Sequence, residues 1–208
     1  MCSSDLVGTK LQKQLLRYIG TVCQDCDASM IIGLMGYAGS GKDEVAKILV
    51  EKYGFERRAF ADTIRHMLYD INPMVGGEPL QIRVDSDGWD KAKQHPEVRR
   101  LLQKMGVSAR NYLGKNIWVN STLKEMDSTK RYVISDVRFE NETYMIKTLG
   151  GEIWRIQRPE VGPVNNHISE TELKDYAADR TLLNAGTLED LETLVKLRLD
   201  SYLAYQNN

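Results

Sequence analysis

Cysteine is scarce in this chain: 208 residues hold three, Cys2, Cys23 and Cys26, all near one end. An odd number in that position argues against a disulfide framework. Cys23-Gln-Asp-Cys26 has the spacing of half a zinc site or of a redox pair, but no second Cys or His pair completes a tetrahedron at the usual spacing. Long apolar runs are missing too. Nothing approaches a membrane span, and the first residues lack the apolar core of a signal peptide, so the expectation is a cytoplasmic protein with no membrane partner. An excess of one charge is also absent. Lys and Arg number 28 against 29 Asp and Glu, mixed along the chain, which leaves no electrostatic footprint for a nucleic-acid polymer and points to small, locally recognised ligands. There is no internal repeat and no low-complexity tract.

What is present is 42% hydrophobic residues in a length suited to one well-buried domain. The most informative stretch is Gly36-Tyr-Ala-Gly-Ser-Gly-Lys-Asp43. Glycines at 36, 39 and 41 let the backbone of Ala38, Ser40 and their neighbours turn N–H groups inward around phosphate, and Lys42 reaches the outer phosphates of a nucleotide. The apolar run Met30-Ile-Ile-Gly-Leu-Met35 precedes the loop. Val45, Ile48, Leu49 and Tyr53 share one face of the helix expected after it, whose positive end adds to anion binding. Asp43 stands where such loops normally carry the Ser or Thr that ligates Mg²⁺. Its carboxylate either holds Mg²⁺, directly or through water, or simply occupies a first helical turn that favours negative charge. The two roles are compatible.

From Met30 onward, strand and helix signals alternate. Strands are expected at 31–35, 56–60, 132–135, 152–157 and 181–184, and helices at 43–53, 62–71, 96–113, 115–126, 139–149 and 187–204. Such alternation predicts an α/β fold, a parallel sheet of about five strands with helices on both faces and a ligand beyond the strands' carboxyl ends. Residues 72–96, rich in Gly and Pro, read as an irregular insertion, and 158–170 as a second long loop; each is either a lid or a passive excursion. Residues 1–29 stand apart. Leu11, Leu15, Leu16 and Ile19 suggest a short amphipathic helix, but Met30 looks like a natural start, so the extension is expected to be non-native or, failing that, a docking helix.

Candidate chemistry gathers at the expected strand ends. Asp136, closing Tyr132-Val-Ile-Ser-Asp136, has the position of an acidic residue that holds Mg²⁺ through water, or else caps the helix beginning near Phe139. Arg138 puts a cation beside the same crevice. Asp62, after Ala59-Phe-Ala, is either an N-cap or a carboxylate aimed at an acceptor phosphate, with Arg65 one turn further on. Arg99, Arg100, Arg110, Arg155 and Arg158 are either further cations for an anionic ligand or solvated charges. Arg110 is preferred among them because Tyr112 and Trp118 nearby offer rings to stack on a base, although such rings are more often core. His167-Ile-Ser-Glu170 ends the second loop, where Ser169 with Glu172 fits a capping box.

Taken together, Gly41-Lys-Asp43, Phe60-Ala-Asp62, Leu101-Leu-Gln-Lys-Met-Gly106 with Arg110, Val133-Ile-Ser-Asp-Val-Arg-Phe-Glu-Asn-Glu142, His167-Ile-Ser-Glu170 and Asn184-Ala-Gly-Thr-Leu-Glu-Asp-Leu191 resemble the deoxynucleoside monophosphate kinases of tailed bacteriophages. The resemblance runs in order from about residue 30 to 200 and departs from the family at Gly106-Val-Ser-Ala-Arg110, where a Gly-Thr-Glu form is more usual. It implies a three-layer P-loop kinase fold, ATP with Mg²⁺ as donor, a deoxynucleoside monophosphate as acceptor and a homodimer. On that reading, 30–208 is the kinase domain, 72–126 an acceptor-binding insertion and 155–175 a lid-like segment. Gly36, Ala38, Gly39, Ser40, Gly41, Lys42 and Asp43 would hold the donor, and Asp43 and Asp136 the metal. Lys42, Asp62, Asp136 and Arg138 would serve transfer; Asp62, Arg65, Arg110, Trp118, Arg138 and Glu170 would bind the acceptor; Arg155 and Arg158 would belong to the lid. Another small-molecule kinase, of the dephospho-coenzyme A kinase kind, and a nucleotide-driven ATPase or regulator are the alternatives.

Overall fold

A computed structural model describes residues 30–163 and 167–206, apart from the side chains of Glu170, Tyr205 and Gln206. The expected N-terminal helix and all three cysteines lie outside the described residues. Five strands, β1 (Ile31–Met35), β2 (Glu56–Arg58), β5 (Tyr132–Ile134), β6 (Glu152–Gln157) and β7 (Arg180–Leu183), form one sheet in the order β2-β5-β1-β6-β7. Every pairing in it is parallel.

The central strands β1 and β5 are apolar on both faces because both faces are covered. On one side Ile32, Leu34, Val133, Trp154 and Ile156 meet Val45 and Leu49 of α1 (Lys42–Tyr53) and Leu191, Val195 and Leu199 of α8 (Leu188–Gln206). On the other, Ile31, Met35, Ile134 and Ile153 meet residues of α2 (Ala61–Ile71), α4 (Pro96–Leu113), α5 (Ile117–Lys124) and α6 (Glu140–Thr148). Alternation along β1 sends Ile31 and Met35 one way and Ile32 and Leu34 the other, as strand geometry requires.

The central position of β1 positions the site. Its neighbours β5 and β6 lie on opposite sides, so the connections leaving β1 and β5 diverge and open a crevice at the carboxyl edge, where ligands bind in sheets of this kind. The phosphate loop leaves β1, Asp136 follows β5, Arg158 follows β6 and Asn184 follows β7.

One expectation fails within the insertion. Residues 72–96 are ordered: Met74–Val75 (β3) and Glu78–Pro79 (β4) make a two-stranded hairpin, and Leu80–Ala92 form the kinked helix α3. The Gly and Pro residues punctuate small elements here. Gly76 and Gly77 supply the left-handed turn at φ 60° and 90°, Pro79 precedes the first turn of α3, and Gly88 carries the kink at φ 74°. Leu80 and Val75 are wholly buried, which anchors the hairpin and helix on the core.

Candidate active site

The phosphate loop closes on itself. Lys42 is buried, and its ammonium donates to the carbonyls of Gly36 at 2.8 Å and Tyr37 at 2.7 Å, so the positive charge lies across the mouth of the loop. Gly41, at φ 102°, precedes α1, and Val45 N donates to Gly41 O to start the helix. No side chain caps this helix end. Its first N–H groups, together with the helix dipole, therefore face the cleft as an anion cradle. Asp43 is exposed in that first turn and borders the cleft, a placement consistent with either role expected for it.

The cleft has a volume of about 840 Å³, within the range of small-molecule sites. At one end lie the loop and the Asn184–Leu191 segment; at the other, Phe60, Ile64, Leu102, Val107, Trp118 and Phe139 make an apolar chamber. Arg57, Arg65, Arg99, Arg110, Arg138 and Arg158 also line it. A ligand there is thus offered phosphate contacts, an apolar wall and cations in one cleft.

Asp136 is the hinge between these parts. Its Oδ1 accepts from Phe60 N at 2.8 Å and its Oδ2 from Ala61 N at 2.9 Å. The helix it caps is therefore α2, seventy-five residues away in sequence, rather than the one near Phe139 that local reasoning offers. That nearer helix, α6, is served by Glu142, whose Oε2 accepts from Arg138 N at 2.7 Å and Phe139 N at 3.0 Å. Glu142 is buried beside the cleft, and burial, reinforced by the Asp136 charge, pushes its carboxyl up to about 8. Sequence reasoning missed it as a site residue; its place three residues after Phe139, the N-cap of α6, is the available signal.

Asp62 is not an N-cap either. It sits inside the first turn of α2, where Oδ2 accepts from Ala59 N at 2.9 Å, and it pairs with Arg65 at 2.8 Å and Arg57 at 3.4 Å. Both arginines line the cleft, while Asp62 lies behind them. Arg110 is held by Asn141 Oδ1 at 3.0 Å and Lys115 O at 3.1 Å, with its guanidinium 3.8 Å from the centre of the Phe139 ring. The second unforeseen residue is this Asn141, which also donates to Lys115 O and Asn116 Oδ1. Trp118 lines the chamber but is a core residue, with Nε1 donating to Gly106 O at 3.0 Å. Tyr112 is 87% exposed and outside the cleft lining, so it does not share the base-stacking position expected of it.

Arg138 donates to Ser169 O at 3.1 Å, bringing the second loop to the cleft. His167 is the N-cap of the short helix Ile168–Thr171 (α7), with Nδ1 accepting from Ser169 N. Glu172 instead accepts from Glu140 N, so the expected Ser169 to Glu172 capping box does not form. The Glu170 side chain is outside the described residues. Arg158 borders both the cleft and a smaller cavity of about 290 Å³ behind the loop, whereas Arg155 borders only the latter and is tied to Leu173 O at 3.1 Å and Tyr176 O at 2.6 Å. Arg100 pairs with Glu97 and is not in the cleft lining. Among the described residues no three His, Cys, Asp or Glu side chains cluster as a closed metal cage. Asp43 and Asp136, facing one cleft, fit the open site of an Mg²⁺ ion that is completed by phosphates and water. No helix among the described residues is long and apolar enough to cross a membrane.

The chain is similar to known proteins both in structure and in sequence. Solved structures similar to the chain include dephospho-CoA kinase from Campylobacter jejuni, at 13% identity with a TM-score of 0.46 over 82% of this chain and 96% of that one. Another is shikimate kinase from Aquifex aeolicus, at 14% identity and TM-score 0.43 over 84% and 99%. In sequence, a protein of Ictalurid herpesvirus 1 (strain Auburn), "Uncharacterized protein ORF76", is 26% identical over 175 residues, 79% of this chain and 65% of its own length. A protein of Acanthamoeba polyphaga mimivirus named "Putative deoxynucleotide monophosphate kinase" is 32% identical over 180 residues, 77% of this chain and 91% of its own. The family model for deoxynucleotide monophosphate kinase matches residues 81–195, which include most of the insertion, the Asp136 turn and the Asn184 segment. With its phosphate loop at one end of the cleft and a cation-lined apolar chamber at the other, the chain belongs to the deoxynucleotide monophosphate kinase family.

Proposed function

We propose that this cleft binds ATP at the phosphate loop and a deoxynucleoside 5′-monophosphate in the chamber between α2, α4 and the Asp136 turn, and transfers the γ-phosphoryl group between them. The observation that carries this reading is the convergence, in one cleft, of the loop's inward N–H groups and Lys42 with Arg65, Arg110 and Arg138 around an apolar wall. An oxygen of the acceptor phosphate attacks the γ-phosphorus in line as the bond to the β–γ bridging oxygen breaks, giving ADP and a dNDP. The protein supplies position and charge. Gly36, Ala38, Gly39, Ser40 and Gly41 cradle the donor phosphates, and Lys42 stabilises charge on the transferred group. Arg138, beside the loop, faces both phosphates, and Arg65 and Arg110 orient the acceptor, with Asp62 holding Arg65 in place. Asp43 and Asp136 would hold Mg²⁺ and its waters, a bound cation there neutralising charge on the donor phosphates.

Residues 30–208 form the kinase domain on this reading, with 72–126 closing the acceptor end and 155–175 as the lid-like segment. Arg158 is the lid cation that borders the cleft; Arg155 supports it by holding the backbone at Leu173 and Tyr176. Glu170, Trp118 and a homodimeric state belong to the same proposal, as does action in the cytoplasm, that of the host if the chain is phage-encoded. Coupled ADP release with ATP and Mg²⁺ against a panel of dNMPs, NMPs and dephospho-coenzyme A tests it. Turnover dependent on one or more dNMPs is expected, with Lys42→Ala lowering kcat by on the order of 10²-fold or more while the fold persists. ADP release that ignores the acceptor would overturn the kinase reading in favour of an ATPase.

A further inference from the structure

The phosphate loop is braced from outside. Asn184, the first residue after β7, is half-buried at the cleft, and its Nδ2 donates to Ser40 O at 3.0 Å. Its own backbone N donates to Gln157 O at 2.7 Å, which ties it to the end of β6. A Cβ built on Gly41 would collide with Asn184 Nδ2. The asparagine therefore fills the space that glycine leaves and grips the Ser40–Gly41 peptide through the Ser40 carbonyl.

The segment that carries Asn184 is itself locked. Thr187 N donates to Asp190 Oδ2 at 2.8 Å and Asp190 N donates to Thr187 Oγ1 at 3.2 Å, a reciprocal capping box at the start of α8. Gly186 lies so close to the Asp190 carboxylate that a Cβ there has no room. Strand β6, through Gln157 O, and the capped start of helix α8, three residues further on, thus flank Asn184.

The consequence follows from the peptide it grips. Rotating the Ser40–Gly41 peptide would re-aim the N–H of Gly41, inside the cradle, and shift Gly41 away from the φ of 102° from which α1 starts. A donor held at 3.0 Å on Ser40 O opposes that rotation. Preorganised N–H groups bind anions without the cost of ordering the loop at the moment of binding.

We propose that Asn184 is a positioning residue for the donor nucleotide, holding the second half of the phosphate loop in its binding conformation through Ser40 O. This rests on the assignment of the loop to ATP. It separates Asn184 from Arg110 and Arg65, which act on the acceptor.

The test is direct titration of the full chain with ADP by calorimetry, together with KM for ATP and for a dNMP, in wild type, Asn184→Ala and Asn184→Asp. Alanine removes the side chain; aspartate keeps its shape but has no donor for Ser40 O. Both variants are expected to weaken ADP binding and raise KM for ATP about 5- to 20-fold, with KM for the dNMP within twofold of wild type. An unchanged ADP affinity in both variants overturns the role of Asn184 while leaving the nucleotide assignment standing. A parallel rise of both KM values, accompanied by a large fall in Tm, also overturns it, since that is the signature of a merely structural contact. Wild type that fails to bind ADP at all would remove the assignment of the loop and this role with it.

Discussion

Arg110 is the clearest case of a side chain whose use depends on its neighbours. Stacked 3.8 Å over Phe139 and held by Asn141 and Lys115, its guanidinium reaches the cleft in one orientation, so little freedom remains to be lost when an anion arrives. Asn141→Ala removes one of the two hydrogen bonds, and a bond to a charged group contributes about 1.5–3 kcal/mol. KM for the dNMP is expected to rise at least tenfold with KM for ATP little changed, measured by steady-state kinetics with each substrate varied in turn. Glu142 gives a pH prediction at the same scale. Its folded carboxyl titrates near 8 against an ordinary 4.5, so between those values the folded protein keeps a proton that the unfolded chain releases. Stability from this group is full below the ordinary value and is lost as pH rises through about 8. Nucleotide- and Mg²⁺-free protein should therefore show a Tm that falls from pH 5 to 8, and Glu142→Gln should flatten the fall, as read by calorimetric melts in matched buffers.

Among the elements, helix α2 shows how the acceptor side is tied to the donor side. The N–H groups of its N-cap Phe60 and of its first residue Ala61 are bound by Asp136, which leaves the end of β5, and its first turn carries Asp62 with Arg65. Asp136→Ala leaves both N–H groups without their acceptor at a cost of about 1–3 kcal/mol, which amounts to several degrees of Tm in a chain of this size. Thermal melts should show that loss even without ligands, and an unchanged Tm would mean that water replaces the carboxylate. Asp136 therefore serves a structural role whatever it does for a metal. The same element explains why two local alternatives fail. The helix near Phe139 is only one of the two roles local reasoning offers Asp136, and an N-cap only one of the two for Asp62; the capping partner across the sheet is invisible until β2 and β5 lie side by side. The insertion was misread for a different reason: its glycines and prolines mark the turns of a hairpin and a kinked helix too short to show periodicity in sequence.

At the scale of the whole molecule, the parallel sheet collects five loop regions at one edge and so makes one cleft out of residues spread from 38 to 191. A homodimer is part of the proposed function, and light scattering should give a mass near twice the 23.7 kDa chain, whereas a mass of one chain would remove it. Sequence by itself determined the alternating architecture, the phosphate loop and the family, since each is local: short apolar runs between helical stretches, glycines at fixed spacing before Lys42, and short motifs in a set order. Only the tertiary structure decided which carboxylate caps which helix, that Asn141 and Asn184 brace Arg110 and the loop, and that Glu142 is buried beside Asp136. Those contacts join residues far apart in the chain, and burial and hydrogen-bond partners are properties of packing, which no spacing along the sequence encodes.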